Sequence, residues 1–206
     1  MKKLLTILGI LGMFTSCNMY DDAPVIIEPM DTAAVDLSVE LPELSIYNLP
    51  ATWTTQDGED IELQELRGKV LVMVMIYTSC KAACPRLVAD MRNIEKQVPA
   101  EDLDKVQFIM VSIDPENDTP EKLKEFSKEN VMEDDHWMFL RGTPEDTREF
   151  AAVLAVNYKK ITPVDFSHSN IISVFDTRGV MVHQQEGLGV DNEETIEAIN
   201  GQLKSI

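Results

Sequence analysis

Two long apolar runs constrain this chain more than any other feature: Leu71 to Tyr77 (LVMVMIY) and Val106 to Ile113 (VQFIMVSI). Neither alternates strictly between polar and apolar residues, so neither suits a strand with one wet face. Each reads as a strand buried on both faces. Between them, Leu87, Met91, Ile94 and Val98 recur at helical spacing and predict an amphipathic helix over 85–98. Two buried strands joined by a helix form a parallel crossover, and covering both faces of such strands requires a three-layer α/β domain.

The flanking sequence extends this pattern. Asp57-Gly58 between short segments signals a β-hairpin ahead of the central strands, with Gly68 as a stop before the first long one. After the second long strand, Thr119 is placed to N-cap a helix that starts at Pro120 and runs to about Lys128. Trp137 to Leu140 reads as a short strand, and Thr143-Pro144-Glu145-Asp146 opens a helix with Phe150, Val153 and Leu154 on one face. Residues 156 to 168 read as a loop. Ile171 to Phe175 and Val180 to His183 then flank the turn Asp176-Thr177-Arg178-Gly179. Asp191 to Glu194 starts a last helix carrying Ile196, Ile199 and Leu203. The predicted order is βαβαβαββα, an N-terminal β-hairpin and a C-terminal β-hairpin plus helix around a parallel centre. No repeat, P-loop, dinucleotide fingerprint or HExxH helix is present.

The N-terminus carries a different signal. Lys2 and Lys3 precede an uncharged apolar run from Leu4 to Phe14, too short to span a bilayer, and Phe14-Thr15-Ser16-Cys17 resembles a bacterial lipoprotein signal in which Cys17 is acylated. Residues 18 to 40 hold Asp21, Asp22, Glu28, Asp31, Asp36 and Glu40, two prolines and no basic residue, a composition suited to an extended tether. The expected division is a signal peptide over 1–16, an acidic tether over 17–42 and a folded domain over 43–206. The chain carries 18 basic and 36 acidic side chains; without Lys2 and Lys3 the balance is 16 against 36, a net charge of -20. Nucleic acid is therefore not an expected partner. The protein is expected on the extracytoplasmic side of a bacterial membrane, held there by its lipid.

With Cys17 assigned to the anchor, Cys80 and Cys84 are the two remaining cysteines of the chain. They follow the first buried strand and precede Pro85, so they sit at a sheet edge beside a helix N-terminus, a setting that favours thiolate. A structural disulfide, a redox dithiol and a pair of metal ligands all fit. A disulfide needs Cβ atoms about 4 Å apart, while helical i, i+4 positions hold them about 5 to 6 Å apart. Two thiolates on one metal stand almost 4 Å apart, which this spacing reaches more easily. A third donor would come from His136, His168 or His183. His136 follows the acidic turn Glu133-Asp134-Asp135, which suggests a solvated or capping role, and His183 lies within a strand, whereas His168 sits in a polar loop before a buried strand. Spacing alone does not select it.

Taken together, Tyr77-Thr78-Ser79-Cys80-Lys81-Ala82-Ala83-Cys84-Pro85, Val111-Ser112-Ile113-Asp114-Pro115-Glu116-Asn117-Asp118-Thr119-Pro120, and His168 before a strand and an Asp-Thr-Arg-Gly turn resemble the Sco/SenC family. The resemblance runs from about Leu44 to the C-terminus. It implies a thioredoxin-like fold, membrane anchoring and a copper site, for Cu(I) or Cu(II), made by Cys80, Cys84 and His168. It also implies delivery of copper to the binuclear copper centre of cytochrome c oxidase, so the expected partner is an oxidase subunit or another copper or thiol protein. Some family members act instead as thiol reductants, which would make Cys80 and Cys84 the redox pair of a thiol:disulfide oxidoreductase. Two soft thiolates and an imidazole suit copper. Where the family often places an acidic residue directly before the histidine, this chain has Ser167, with Asp165 the nearest carboxylate. Met73, Met75 and Met110 fall in the buried strands and read as core rather than ligands. Asp114 and Asp118 read as turn and cap residues.

Overall fold

The computed structural model describes residues 40–206 apart from Ala82 and Val164. The expected signal peptide, Cys17 and nearly all of the expected acidic tether lie outside the described residues. No helix among the described residues is long and apolar enough to cross a membrane.

Among the described residues, nine strands and four α-helices follow in the order β1 (Thr52–Thr55), β2 (Asp60–Glu62), β3 (Val70–Ile76), α1 (Cys84–Glu95), β4 (Val106–Ser112), α2 (Pro120–Glu129), β5 (Trp137–Arg141), α3 (Pro144–Val153), β6 (Tyr158–Thr162), β7 (Asp165–His168), β8 (Ile171–Phe175), β9 (Met181–Glu186) and α4 (Glu193–Leu203). Seven strands form one mixed sheet in the order β2-β1-β5-β4-β3-β8-β9. β3, β4 and β5 run parallel at its centre, and β1 and β8 flank them antiparallel. Every residue of β3, β4 and β8 is buried, which requires cover on both faces of the sheet. Met73, Met75 and Met110 are at most 1% exposed, as core residues should be.

The local signals act as their chemistry dictates. The Thr119 hydroxyl accepts from Lys122 N ahead of Pro120, and Thr143 and Asp146 form a reciprocal capping box at the start of α3. In the β8–β9 turn, Asp176 Oδ1 accepts from the amides of Arg178 and Val180, while Gly179 takes φ +74°. A Cβ at Gly179 would meet the Tyr47 ring at 2.8 Å, so positive φ and close packing both call for glycine there.

Two expectations need correction. The face of α3 turned inward is Thr147, Phe150 and Ala151, with Leu154 just beyond, while Val153 is 43% exposed. Positions 147, 150, 151 and 154 follow the helical stripe, and 153 falls off it. Residues 156–168 are also not a loop: β6 and β7 form a separate antiparallel hairpin. β6 is largely exposed, so it has no buried face to impose an alternating pattern on its sequence.

Candidate functional site

Three segments meet at one edge of the sheet because of strand direction. β3 and β4 are parallel and in register from Val70↔Val106 to Ile76↔Ser112, so the segments leaving them, 77–84 and 113–119, start side by side. β8 is antiparallel to β3, with Val74 opposite Ile172, so it is the start of β8 that reaches this edge. His168 lies three residues before that start.

Cys80 is 9% exposed, Cys84 is fully buried, and neither is in a disulfide. The Cys84 amide donates to Cys80 Sγ at 3.3 Å, and the Cys84 thiol lies 3.6 Å from the Tyr77 carbonyl oxygen. Cys84 opens α1 with Pro85 next to it, a position where the helix dipole lowers a thiol pKa. Burial prevails here. It pushes the Cys84 thiol far above its ordinary range, and the adjacent Cys80 adds to the shift. The thiolate expected from the helix terminus is therefore a protonated thiol in the metal-free protein.

His168 pairs with Tyr158 across the hairpin. Its Nδ1 lies 2.9 Å from the Ser169 carbonyl oxygen. A carbonyl can only accept, so Nδ1 carries the proton and Nε2 holds the lone pair. That Nε2 is buried and has no hydrogen-bond partner. Burial also lowers the His168 pKa, which keeps the ring neutral. A neutral imidazole with one nitrogen fixed by a backbone carbonyl and the other unpartnered is prepared to act as a metal ligand.

Tyr77 connects the two halves of the site. Its ring stands edge-on to His168 at 5.8 Å and packs against Phe166 at 5.2 Å. Its hydroxyl donates to Asp165 Oδ1 at 2.5 Å. Burial, the bond to Asp165 and the neighbouring Cys80 hold the phenol well above its usual pKa. Asp165 thus fixes Tyr77 rather than the His168 ring. The donor atoms of Cys80, Cys84 and His168 are not drawn into a cluster within 4.8 Å; among the described residues, Glu95, Asp134 and His136 form such a group.

Asp118 does more than cap a turn. It is 1% exposed and accepts from the Thr78 hydroxyl at 2.5 Å, from the Thr78 amide at 3.2 Å and from the Ser112 hydroxyl at 2.6 Å. It therefore clamps the segment that carries Cys80 to the end of β4. Burial raises its pKa, and the two hydroxyls and the Thr78 amide oppose that rise. Asp114 is also buried, accepts from Asn117 Nδ2 at 2.9 Å and lies 3.8 Å from Lys160 Nζ, which ties β6 to the β4–α2 segment. The sequence signal for Asp118 was present, because an acid flanked by a buried strand and a helix cap needs buried donors. The signal for Tyr77 was its position at the end of an apolar run, where a phenol needs a partner.

The other two histidines lie elsewhere. His136 is not solvated: Nε2 lies 2.6 Å from Glu95 Oε1, and the ring is half-buried against Phe108. His183 Nε2 lies 3.0 Å from the Thr195 hydroxyl, between β9 and α4.

Comparison with known proteins places the chain in a family. A family model described as SCO1/SenC matches residues 44–204. A SCO1 protein homolog of Bacillus subtilis is 39% identical over 103 residues, which is 50% of this chain and 53% of that protein, so the match spans about half the relative's length. The structure of Bradyrhizobium japonicum ScoI with copper bound superposes with a TM-score of 0.63 at 26% identity, covering 74% of this chain and 96% of that one. BsSco, described as a member of the Sco family of cytochrome c oxidase assembly proteins and as having a disulfide switch, superposes at 0.66 with 28% identity, covering 74% and 91%.

Proposed function

The chain belongs to the SCO1/SenC family, and from that membership we propose that it is an extracytoplasmic copper-binding protein that delivers copper to a respiratory oxidase copper centre. Cys80, Cys84 and His168 hold the metal in this reading. The observation that carries it is the buried, unpartnered Nε2 of His168, whose other nitrogen is fixed on the Ser169 carbonyl. A buried imidazole nitrogen without a partner is costly unless something binds it. The donor set fits the cargo, because two thiols and one imidazole suit Cu(I) and also hold Cu(II). The copper bound in a 26% identical neighbour adds to this reading.

The residues divide the work of binding and release. Cys84 exchanges its proton for copper, so loading releases a proton. Cys80, at the rim, is the more accessible sulfur and the first that a partner's thiol or imidazole can replace. Tyr77 and Lys160 tie the hairpin that carries His168 to the segments beside the sulfurs. The oxidase subunit that receives the copper is the proposed partner. The lipid on Cys17 would keep the protein beside that partner at the membrane, with residues 17–42 as tether and 43–206 as the working domain.

The adjacent reduced thiols favour a second reading, a membrane-tethered thiol:disulfide oxidoreductase in which Cys80 attacks a partner disulfide and Cys84 resolves it. One comparison separates the two. Copper-loaded protein is mixed with the metal-free copper-binding domain of an oxidase subunit, and the reduced, metal-free protein separately with a disulfide substrate, for the wild type and for His168→Ala. Copper delivery predicts transfer that His168→Ala abolishes. Full disulfide reduction by His168→Ala, with no copper transfer by either protein, would establish the oxidoreductase instead.

A further inference from the structure

At the opposite end of α1 from Cys84 lies a second group of metal-binding side chains, outside the thiol site. Glu95 is the last residue of α1, while Asp134 and His136 precede β5. One donor atom from each lies within 4.8 Å of the others. We propose that Glu95, Asp134 and His136 form a site for a divalent transition-metal ion such as Zn²⁺, independent of the thiols.

The framework around these side chains is fixed. The Trp137 amide donates to the Asp134 carbonyl at 2.8 Å, closing the turn that brings Asp134 beside His136. The Trp137 indole N–H donates to Glu95 Oε1 at 2.8 Å and fixes that carboxylate, as an outer partner orients a metal ligand. Phe108 stands edge-on to the imidazole at 6.0 Å. A half-buried histidine in a fixed orientation distinguishes this group from an exposed acidic patch.

The chemistry and the space also fit. One imidazole nitrogen and two carboxylate oxygens suit borderline to hard divalent ions, and water completes the shell. A cavity of about 530 Å³ opens onto His136 and Asp134 and is lined by Asp104, Asp135 and Lys69. Three acids against one lysine give it a negative balance, and Lys69 Nζ is already held by Gln107 Oε1 at 3.0 Å. At present a hydrogen bond joins His136 Nε2 and Glu95 Oε1 at 2.6 Å, with one proton between them. Ligands about 2.1 Å from one ion stand roughly 3.4 Å apart in a tetrahedron, so the ion replaces that proton after a separation of less than 1 Å. Binding would lock the end of α1 onto the start of β5. These groups lie about 17 Å along α1 from Cys84 at 1.5 Å per residue.

The test uses the full-length chain with Cys17, Cys80 and Cys84 all replaced by serine, so no thiol contributes. Zn²⁺ alone is titrated calorimetrically, and thermal unfolding is followed with and without it. One ion should bind per chain, and Zn²⁺ should raise the melting temperature. His136→Gln and Asp134→Asn should each weaken binding about tenfold or more and remove the thermal shift. Asp134 is exposed, so Asp134→Asn carries the test even where His136→Gln does not fold. Absence of binding, or binding that survives either substitution, overturns the site. Neither result bears on copper at the thiols.

Discussion

Replacing Asp118 with alanine tests whether the segment bearing Cys80 is held by this one carboxylate. The substitution removes the acceptor for the Thr78 hydroxyl, the Thr78 amide and the Ser112 hydroxyl. Ser112 is fully buried, so water cannot replace the lost acceptor without opening the end of β4. Each buried group left unsatisfied costs about 1 to 3 kcal/mol, so three would give several kcal/mol. Removing a carboxylate whose burial is itself unfavourable offsets part of this, as its raised pKa indicates. The expected net loss is about 3 kcal/mol, measured by urea unfolding of the reduced, metal-free protein. Asp118→Asn keeps one oxygen for Thr78 and offers its amide N–H to the Ser112 hydroxyl, so it should lose only about 1 kcal/mol. Copper affinity should follow the same order, wild type above Asn above Ala, because Thr78 is two residues from Cys80. An alanine variant with wild-type stability and wild-type copper affinity would refute the clamp.

Further outcomes follow from the same contacts. Tyr77→Phe removes the hydroxyl donated to Asp165; because Asp165 is exposed and water can take up its oxygens, the loss should be about 1 kcal/mol in urea unfolding. The same variant should bind copper more weakly than wild type in a competition titration, since Tyr77 contacts both Cys80 and the hairpin of His168. The buried Cys84 thiol makes stability depend on pH in the reduced, metal-free protein. Its folded pKa is raised above the unfolded value of about 8.5, so the folded chain keeps a proton that the unfolded chain gives up. Stability is then full below about pH 8.5 and falls by about 1.4 kcal/mol per pH unit above it. Anaerobic thermal unfolding from pH 7 to 10 checks this, and Cys84→Ser should remove that slope.

The elements legible in the sequence were those whose side chains have one unambiguous job. β3 and β4 are buried on both faces, and their unbroken apolar runs announce it. Thr119-Pro120 and Thr143-Pro144 mark helix starts because a hydroxyl cap followed by proline has little other use. The β6–β7 hairpin was hidden because β6 is mostly exposed and its polar residues satisfy water and strand alike. Val153 was misplaced by one helical step, which a short apolar cluster cannot resolve. The candidate site divides in the same way. Cys80 and Cys84 were visible from cysteine count and position, but the residues alone left His168 one of three histidines, and resemblance to a family chose it. The state of the Cys84 thiol was not legible, because dipole and burial act in opposite directions and only packing determines which prevails. Nor was the burial of His136, whose partner Glu95 is 41 residues away.

The central claim is that Cys80, Cys84 and His168 together hold one copper ion. Anaerobic copper titration of the reduced protein, with stoichiometry and absorption spectra compared across Cys80→Ser, Cys84→Ser and His168→Ala, tests it most directly. One ion per chain, with affinity and spectrum altered in all three variants, is the predicted result. Unchanged Cu(II) affinity and spectrum in His168→Ala would contradict the three-ligand site.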